Sequence, residues 1–421
     1  MIATNARFLE KSVVVDCDRL CTRFAGIQLF ALIYLQKLAV GPESFTVSVP
    51  TIIMVSGFLF LEIRYPRLLG IANLEWLLLF VAAASATFIV TRNVISLPSF
   101  AFLLSIYGCM AFRRPLSEQA YDQVMRLFQR LMIVPALIII GEFAYQKATG
   151  LTNPLSMDEL LPGAALLPGY LYDQAYPSWD SPFHRPNGFF FLEPSFASLF
   201  CAAAVLIEIE FFKRRILVVL FLSATFMSLG GTGATMLALA APFILARQSP
   251  RVTIAVVLAA SVAAVALFAV DSPLPFLDRI HEFDAPKSSG SDRIVLPAVE
   301  LWTYLSDPSY LFAGEGPGHV SVTGVSTWPA TKLVAEYGLV SMLVFEAFIV
   351  SSMIGRSNVP LRISLLAIYN FTGAYLLNPI IVQFMIMMCT VFVRGAPFTS
   401  CKPQFMRQTP SEATLSGKRL R

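Results

Sequence analysis

Charge is what this chain has least of. Only 14% of its 421 residues are Asp, Glu, Lys or Arg, against about 25% in an ordinary water-soluble domain. Histidine is scarcer still, with 3 residues, and tryptophan has 4. A chain this poor in charge and 56% hydrophobic lacks the polar groups to cover a water-facing surface. That excludes a soluble enzyme and a disordered chain. The 6 cysteines (Cys17, Cys21, Cys109, Cys201, Cys389, Cys401) all fall in expected spans or cytoplasmic segments, so a disulfide scaffold is excluded too. Cys17 and Cys21 have no further metal ligands beside them, and no acidic cluster suited to Mg2+ occurs, so neither metal nor cofactor is expected. The first apolar run begins near residue 24 without a small-residue cleavage site and reads as a span, not a signal peptide. No fixed-period repeat is visible.

What the chain does have is long uncharged runs. They fall near 24–40, 45–61, 68–90, 94–112, 131–146, 188–210, 216–229, 233–246, 252–270, 330–354, 363–377 and 379–393. A span needs about 20 apolar residues, and backbone in lipid must satisfy its own hydrogen bonds, which favours helices. The expectation is an all-α polytopic membrane protein of about 12 transmembrane helices with two long outer loops. With the N-terminus inside, all of the 31 basic residues except Lys37, Arg92, Lys147, Arg185, Arg279, Lys287, Arg293 and Lys332 lie on the cytoplasmic side. That bias is the positive-inside pattern, with both termini cytoplasmic. The divisions are a cytoplasmic segment 1–23, helices 1–5 over 24–147, an outer loop 148–187, helices 6–9 over 188–270, a large outer loop 271–329, helices 10–12 over 330–393 and a cytoplasmic tail 394–421. No nucleic-acid partner is expected.

Loops as long as the two outer ones usually carry function. They hold His184, His281 and His319 and also Trp179, Trp302 and Trp328, whereas the inner loops hold basic residues and little else. The first is rich in proline and aromatics, among them Tyr172 and Trp179. Two readings stand: a surface that stacks on sugar rings, or an aromatic belt at the membrane interface. This loop leads into Arg185-Pro186-Asn187-Gly188-Phe189-Phe190-Phe191-Leu192-Glu193. If the segment is helical, Arg185 and Glu193 share a face, either as a structural ion pair or lining an outward cavity.

The second loop carries Ser288-Ser289-Gly290-Ser291-Asp292-Arg293 and then a short amphipathic helix, Ile294 to Leu305, with Glu300 and Trp302. Ser291 or Asp292 serves as N-cap. Arg293 in the first turn, beside free helical N–H groups, suits a phosphate. The turn Phe312-Ala313-Gly314-Glu315-Gly316-Pro317-Gly318-His319 lacks the Gly-Lys-Ser/Thr of a nucleotide loop. His319 is either a general base or an ordinary loop histidine. The candidate catalytic residues are Arg185, Arg293, Glu193 and His319; the candidate substrate-binding residues are Asp292, Trp302, Tyr172, Trp179 and Glu336.

In these motifs the chain resembles the bacterial O-antigen ligase and polymerase superfamily, which includes the Wzy-type polymerases. The resemblance rests on four segments in the family's order: Arg185 to Glu193-Pro194-Ser195, Ser289-Gly290-Ser291-Asp292-Arg293 with Trp302, Phe312 to Gly318, and Ala335-Glu336-Tyr337-Gly338-Leu339-Val340. It departs from the family at Gly230-Gly231-Thr232-Gly233, where many members carry Ser-Arg-Thr-Gly, and at Thr327, where ligases carry a histidine. The resemblance implies an inner-membrane enzyme whose long loops are periplasmic. It implies transfer of a glycan from an undecaprenyl pyrophosphate donor to a lipid-linked acceptor without a metal, with a flippase and a chain-length regulator as partners. Thr327 favours the polymerase over a ligase acting on lipid A core. A lipid-linked oligosaccharide flippase is the rival from another class, although transporters usually show internal repeats.

Overall fold

Proline sets where many helices start. The computed structural model describes residues 2–42, 46–66, 68–91, 96–151, 157–170, 172–176, 183–247, 291–320, 327–355, 357–372 and 376–395, with side chains from residue 17 onward except those of Asp158 and Asp292. The expected span at 252–270, Trp179, His281 and Ser288-Ser289-Gly290 lie outside the described residues, as does the tail from 396. What is described is predominantly helical. The helices are α1 (Ile2–Tyr34), α2 (Val49–Arg64), α3 (Leu74–Val90), α4 (Leu97–Gly108), α5 (Glu118–Thr149), α6 (Met157–Leu160), α7 (Pro194–Ile207), α8 (Arg215–Met227) and α9 (Gly231–Leu245). After the undescribed stretch come α10 (Leu296–Ser306), α11 (Pro329–Tyr337), α12 (Leu339–Met353), α13 (Val359–Phe371) and α14 (Pro379–Met385). In α2, α4, α7, α10, α11, α13 and α14 a proline occupies the first turn, where its missing N–H costs nothing and its fixed φ is already helical. The side chains of Ser96, Ser117 and Asn378 accept backbone N–H groups at three of the starts.

Two helices sit at the centre. Every residue of α7 from Phe196 to Ile207 is buried, and so is every residue of α14 and of the π-helical turn that continues it to Thr390. A helix apolar all round must be enclosed. Phe200 of α7 meets Phe384 of α14 at 4.4 Å between ring centroids, and Phe128 of α5 meets the same Phe384 at 5.4 Å. α5, α8 and α9 pack around α7. α3 packs against α12, and α1 against α5 and α2.

The helices run between two polar layers. At one end lies a three-stranded sheet, β3 (Gly70–Ile71), β4 (Phe112–Leu116) and β5 (Phe392–Arg394), with β3–β4 antiparallel and β4–β5 parallel. Asp18 accepts from the backbone N–H and the hydroxyl of Ser117 here, and Asn73 donates to Ser352. At the other end a two-stranded ladder, β1 (Ala39–Val40) with β2 (Val47–Ser48), adjoins the loops that carry the candidate site. These are the sheet end and the loop end. From Tyr121 at the sheet end to Glu142 at the loop end, α5 rises about 30 Å at about 1.5 Å per residue.

Several expectations meet a different geometry. α1 begins at Ile2, not near residue 24. The run 330–354 is two helices, broken at Gly338 with φ +86, where a Cβ would lie 2.7 Å from the backbone nitrogen of Ala313. The all-α expectation is met among the described residues, with five short strands of two to five residues added at the two ends of the helices. Among the described residues, two helices are long and apolar enough to cross a membrane, Glu118–Thr149 and Pro194–Phe212; other apolar helices are shorter, such as Leu74–Val90 and Leu339–Met353.

Candidate active site

The segment leading into α7 is not helical. Asn187 donates to the Tyr172 carbonyl at 2.6 Å and accepts from the Phe189 N–H. Gly188 and Phe189 both adopt positive φ, +66. A Cβ on Gly188 would lie 2.9 Å from Ile139 Cγ1, so α5 itself demands glycine there. The Gly188 N–H donates to Glu142 Oε2 at 3.0 Å, and the amide of Gln146 brackets the His184 backbone, accepting at 2.7 Å and donating at 2.9 Å. The helical geometry expected for Arg185 and Glu193 is therefore absent. Glu193 is extended (φ −145) and occupies the N-cap position of α7.

Glu193 and Arg293 meet across 100 residues of chain. Arg293 Nη2 lies 3.4 Å from Glu193 Oε2, with Arg293 37% and Glu193 12% exposed. Ser195 Oγ donates to the same carboxylate oxygen at 3.2 Å. Arg293 sits in a π-helical turn (Ser291–Val295) that continues into α10. Its carbonyl accepts from Trp328 Nε1 at 2.9 Å, and Thr331 Oγ1 donates to the Pro297 carbonyl at 3.0 Å. The start of α11 thus holds the start of α10. Glu193 takes one of the five N–H donors on the guanidinium, and the group is exposed enough for its remaining donors to meet a ligand.

Arg185 lies over the Tyr176 ring, 4.7 Å from its centroid, and its backbone N–H donates to the Gln174 carbonyl. Tyr172 donates to the Leu167 carbonyl, and Lys37, a buried residue, places its ammonium 5.2 Å from the Tyr172 ring centre. The aromatic loop is therefore folded on itself by a cation and its own backbone. His184 Nδ1 lies 2.5 Å from Asp173 Oδ1.

The two glycine motifs of the second half prove to be each other's packing partners. The Glu315 N–H donates to the Ala335 carbonyl at 2.8 Å and the Gly316 N–H to the Glu336 carbonyl at 3.1 Å. Gly314 permits this approach: a Cβ there would lie 2.5 Å from the Ala335 carbonyl oxygen. Thr87 of α3 and Thr91, which caps it, clasp Gly314, its N–H donating to Thr87 Oγ1 at 3.1 Å and its carbonyl accepting from Thr91 Oγ1 at 2.7 Å. Glu336 is buried, with Lys332 Nζ 3.2 Å away and the Gly318 and Val320 amides facing its carboxylate. Tyr310 donates to Glu315 Oε1 at 3.0 Å. Burial first, and then that bond to Glu315, push the Tyr310 hydroxyl up to about 12.

His319 donates its backbone N–H to the Gly316 carbonyl. Among the described residues no hydrogen bond or ion pair joins its imidazole to Arg293 or Glu193. Trp302 projects from α10 and is 73% exposed. Asp292 is placed on the backbone one residue before Arg293. The Gly230-Gly231-Thr232-Gly233 run starts α9, where Ser198 Oγ donates to the Gly230 carbonyl and accepts from the Gly233 N–H. Among the described residues no group of His, Cys, Asp and Glu has the makings of a metal site.

Sequence reading missed Glu142, Ser195 and the bond of Trp328 to Arg293. Glu142 carried a usable signal, an ionisable residue inside an apolar run. No family model matches the chain, and no curated protein matches it.

Proposed function

We propose that the chain is a polytopic inner-membrane glycosyltransferase that polymerises undecaprenyl pyrophosphate-linked repeat units at the periplasmic face, its loop end facing outward and both termini cytoplasmic. The membrane reading is supported by the helix flanks. Ile63, Ile89, Val90, Leu97, Ile216 and Val219 are each more than 60% exposed, a surface that suits hydrocarbon and not water. The spacing of about 30 Å along α5 between the polar layers matches a bilayer core, and the shorter helices fit by sharing that core with their neighbours.

The observation that carries the catalytic reading is the Glu193–Arg293 pair at the head of α7. An arginine held by a carboxylate, yet more than a third exposed, is a preorganised clamp for the pyrophosphate of the donor. In the reaction the acceptor hydroxyl oxygen forms a bond to the anomeric carbon. The bond from that carbon to pyrophosphate breaks, its electron pair leaves with the pyrophosphate, and the hydroxyl proton passes to a pyrophosphate oxygen. Arg293 and Arg185 stabilise the charge that develops on the leaving group. Glu193 is a positioning residue that aims Arg293. Trp302, Tyr172 and the aromatic loop bind the sugars, with Asp292 beside the clamp, while Glu336, buried against Lys332, holds the Gly314–Gly318 turn in place. Membrane lipid surrounds the donor and acceptor tails, and a flippase and a chain-length regulator act before and after this step.

The test is purified protein in liposomes with a lipid-linked repeat unit. Longer glycans with release of lipid pyrophosphate support the polymerase. Movement of unchanged substrate makes the protein a flippase, and transfer to lipid A core makes it a ligase.

A further inference from the structure

The sheet end holds a second group of cations that glycosyl transfer does not use. Asn358 precedes α13 in the left-handed region (φ +56), is fully buried, and does not cap its helix. Neither its Oδ1 nor its Nδ2 has a hydrogen-bond partner among the described residues. One turn on, the Arg362 N–H donates to the Asn358 carbonyl. Arg362 is 3% exposed. Its Nε donates to the Ser357 carbonyl at 2.8 Å and its Nη1 to the Met353 carbonyl at 2.9 Å, while Nη2 finds no partner. Arg113 reaches the same place from β4, its Nη2 donating to the Ile354 carbonyl at 3.2 Å. Tyr121 stands in the field of Arg362, its buried hydroxyl beside Ser357.

No ion pair among the described residues joins Arg113 or Arg362 to a carboxylate. Burial, and then the Arg362 charge, hold the Arg113 guanidinium below its usual value. A buried guanidinium without a counter-ion beside a buried amide with open donors and acceptor is unfavourable on its own. Both become favourable around an anion. Because Asn358 also offers an unmet acceptor, the anion that fits carries a donor of its own next to its charge.

We propose that Arg113, Asn358, Arg362 and Tyr121 form a binding site for a phosphate that bears a neighbouring hydroxyl, as in the headgroup of phosphatidylglycerol from the cytoplasmic leaflet. Basic pockets between helices on the cytoplasmic side take such headgroups. The site lies about 30 Å along α5 from Glu142 and the loop-end site. It rests on the membrane reading but not on the glycosyl-transfer reading, so loss of polymer formation leaves it standing, and membrane fractionation of the wild type tests the membrane reading separately.

The experiment uses delipidated full-length protein in detergent, with thermal unfolding and native mass spectrometry as readouts. Phosphatidylglycerol is expected to raise the melting temperature and to remain bound, where phosphatidylcholine does neither. Asn358→Gly keeps the left-handed backbone and removes only the side chain. It is expected to bind phosphatidylglycerol about tenfold more weakly, the loss of a hydrogen bond to a charged group, while melting no lower than wild type without lipid. Arg362→Met is expected to lose binding as well, and Asn358→Gly keeps the test valid if Arg362→Met fails to fold because Met353 loses its donor. Inorganic phosphate that displaces the lipid shows that the site reads the phosphate itself; phosphate that fails to displace it shows that the whole headgroup is read. Equal stabilisation by phosphatidylglycerol and phosphatidylcholine, or unchanged phosphatidylglycerol binding by Asn358→Gly, overturns the proposal.

Discussion

Replacing Arg293 tests the clamp most directly. A guanidinium gripping pyrophosphate makes two charge-assisted hydrogen bonds, each worth about 1.5–3 kcal/mol. Arg293→Ala should therefore raise the barrier by about 3–6 kcal/mol and slow polymerisation by about 10²–10⁴-fold. Arg293→Lys keeps the charge but loses the fork and should fall between the two. The partner gives the contrast. At 3.4 Å the gross attraction between Glu193 and Arg293 is about 5 kcal/mol at an effective dielectric of about 20. With Arg293 more than a third exposed, solvent screening reduces the net worth of the pair to about 1 kcal/mol. Glu193→Gln, which still accepts from both Arg293 and Ser195, should cost less than tenfold in rate. The assay is the glycan ladder formed in proteoliposomes from a lipid-linked repeat unit, normalised to inserted protein. If Arg293→Ala stays within threefold of wild type, or Glu193→Gln is the more damaging change, Arg293 is not the leaving-group clamp.

Four further outcomes are expected. Arg185→Ala should abolish polymer while the protein still accumulates, and normal polymer would remove Arg185 from the site. His319→Ala should polymerise within about threefold of wild type, because the proton leaves with pyrophosphate; a hundredfold loss, in the range of acid–base catalysis, would assign that proton to the imidazole. Gly314→Ala forces a Cβ against the Ala335 carbonyl and should reduce accumulation and melting temperature sharply, whereas Gly163→Ala, with open space around it, should not. Tyr310 has its folded value raised to about 12. Its contribution is full below about pH 10, the unfolded value, and is lost as pH rises through the folded one. Tyr310→Phe should therefore show a shallower alkaline decline in melting temperature than wild type.

Much of the helical layout was legible because it depends on local signals. The prolines that open α2, α7, α11, α13 and α14 lie where uncharged runs begin or turn. The start of α1 was not legible, since Glu10, Lys11, Asp16 and Asp18 interrupt the apolar pattern there although the backbone stays helical. The strands of two to five residues are too short to leave a period. Residues of the candidate site were legible as rare charges in a nearly chargeless chain, but their pairing was not. Arg185 and Glu193 are eight residues apart in sequence, and the turn between them depends on Gly188 lying against α5, a contact with no sequence signature. Likewise Gly314 reads as a turn glycine, while its role, like that of Gly338, is to let two backbones touch.

The 100 residues between Glu193 and Arg293 also set an order of events during synthesis. At about 5–20 residues per second, the carboxylate at the head of α7 leaves the ribosome some 5–20 s before the arginine that will neutralise it. α7 must therefore take its place with Ser195 as the near-at-hand donor. The Glu193–Arg293 contact can form only after α8 and α9 have been made, while α14, which shares the centre of the bundle with α7, is made later still.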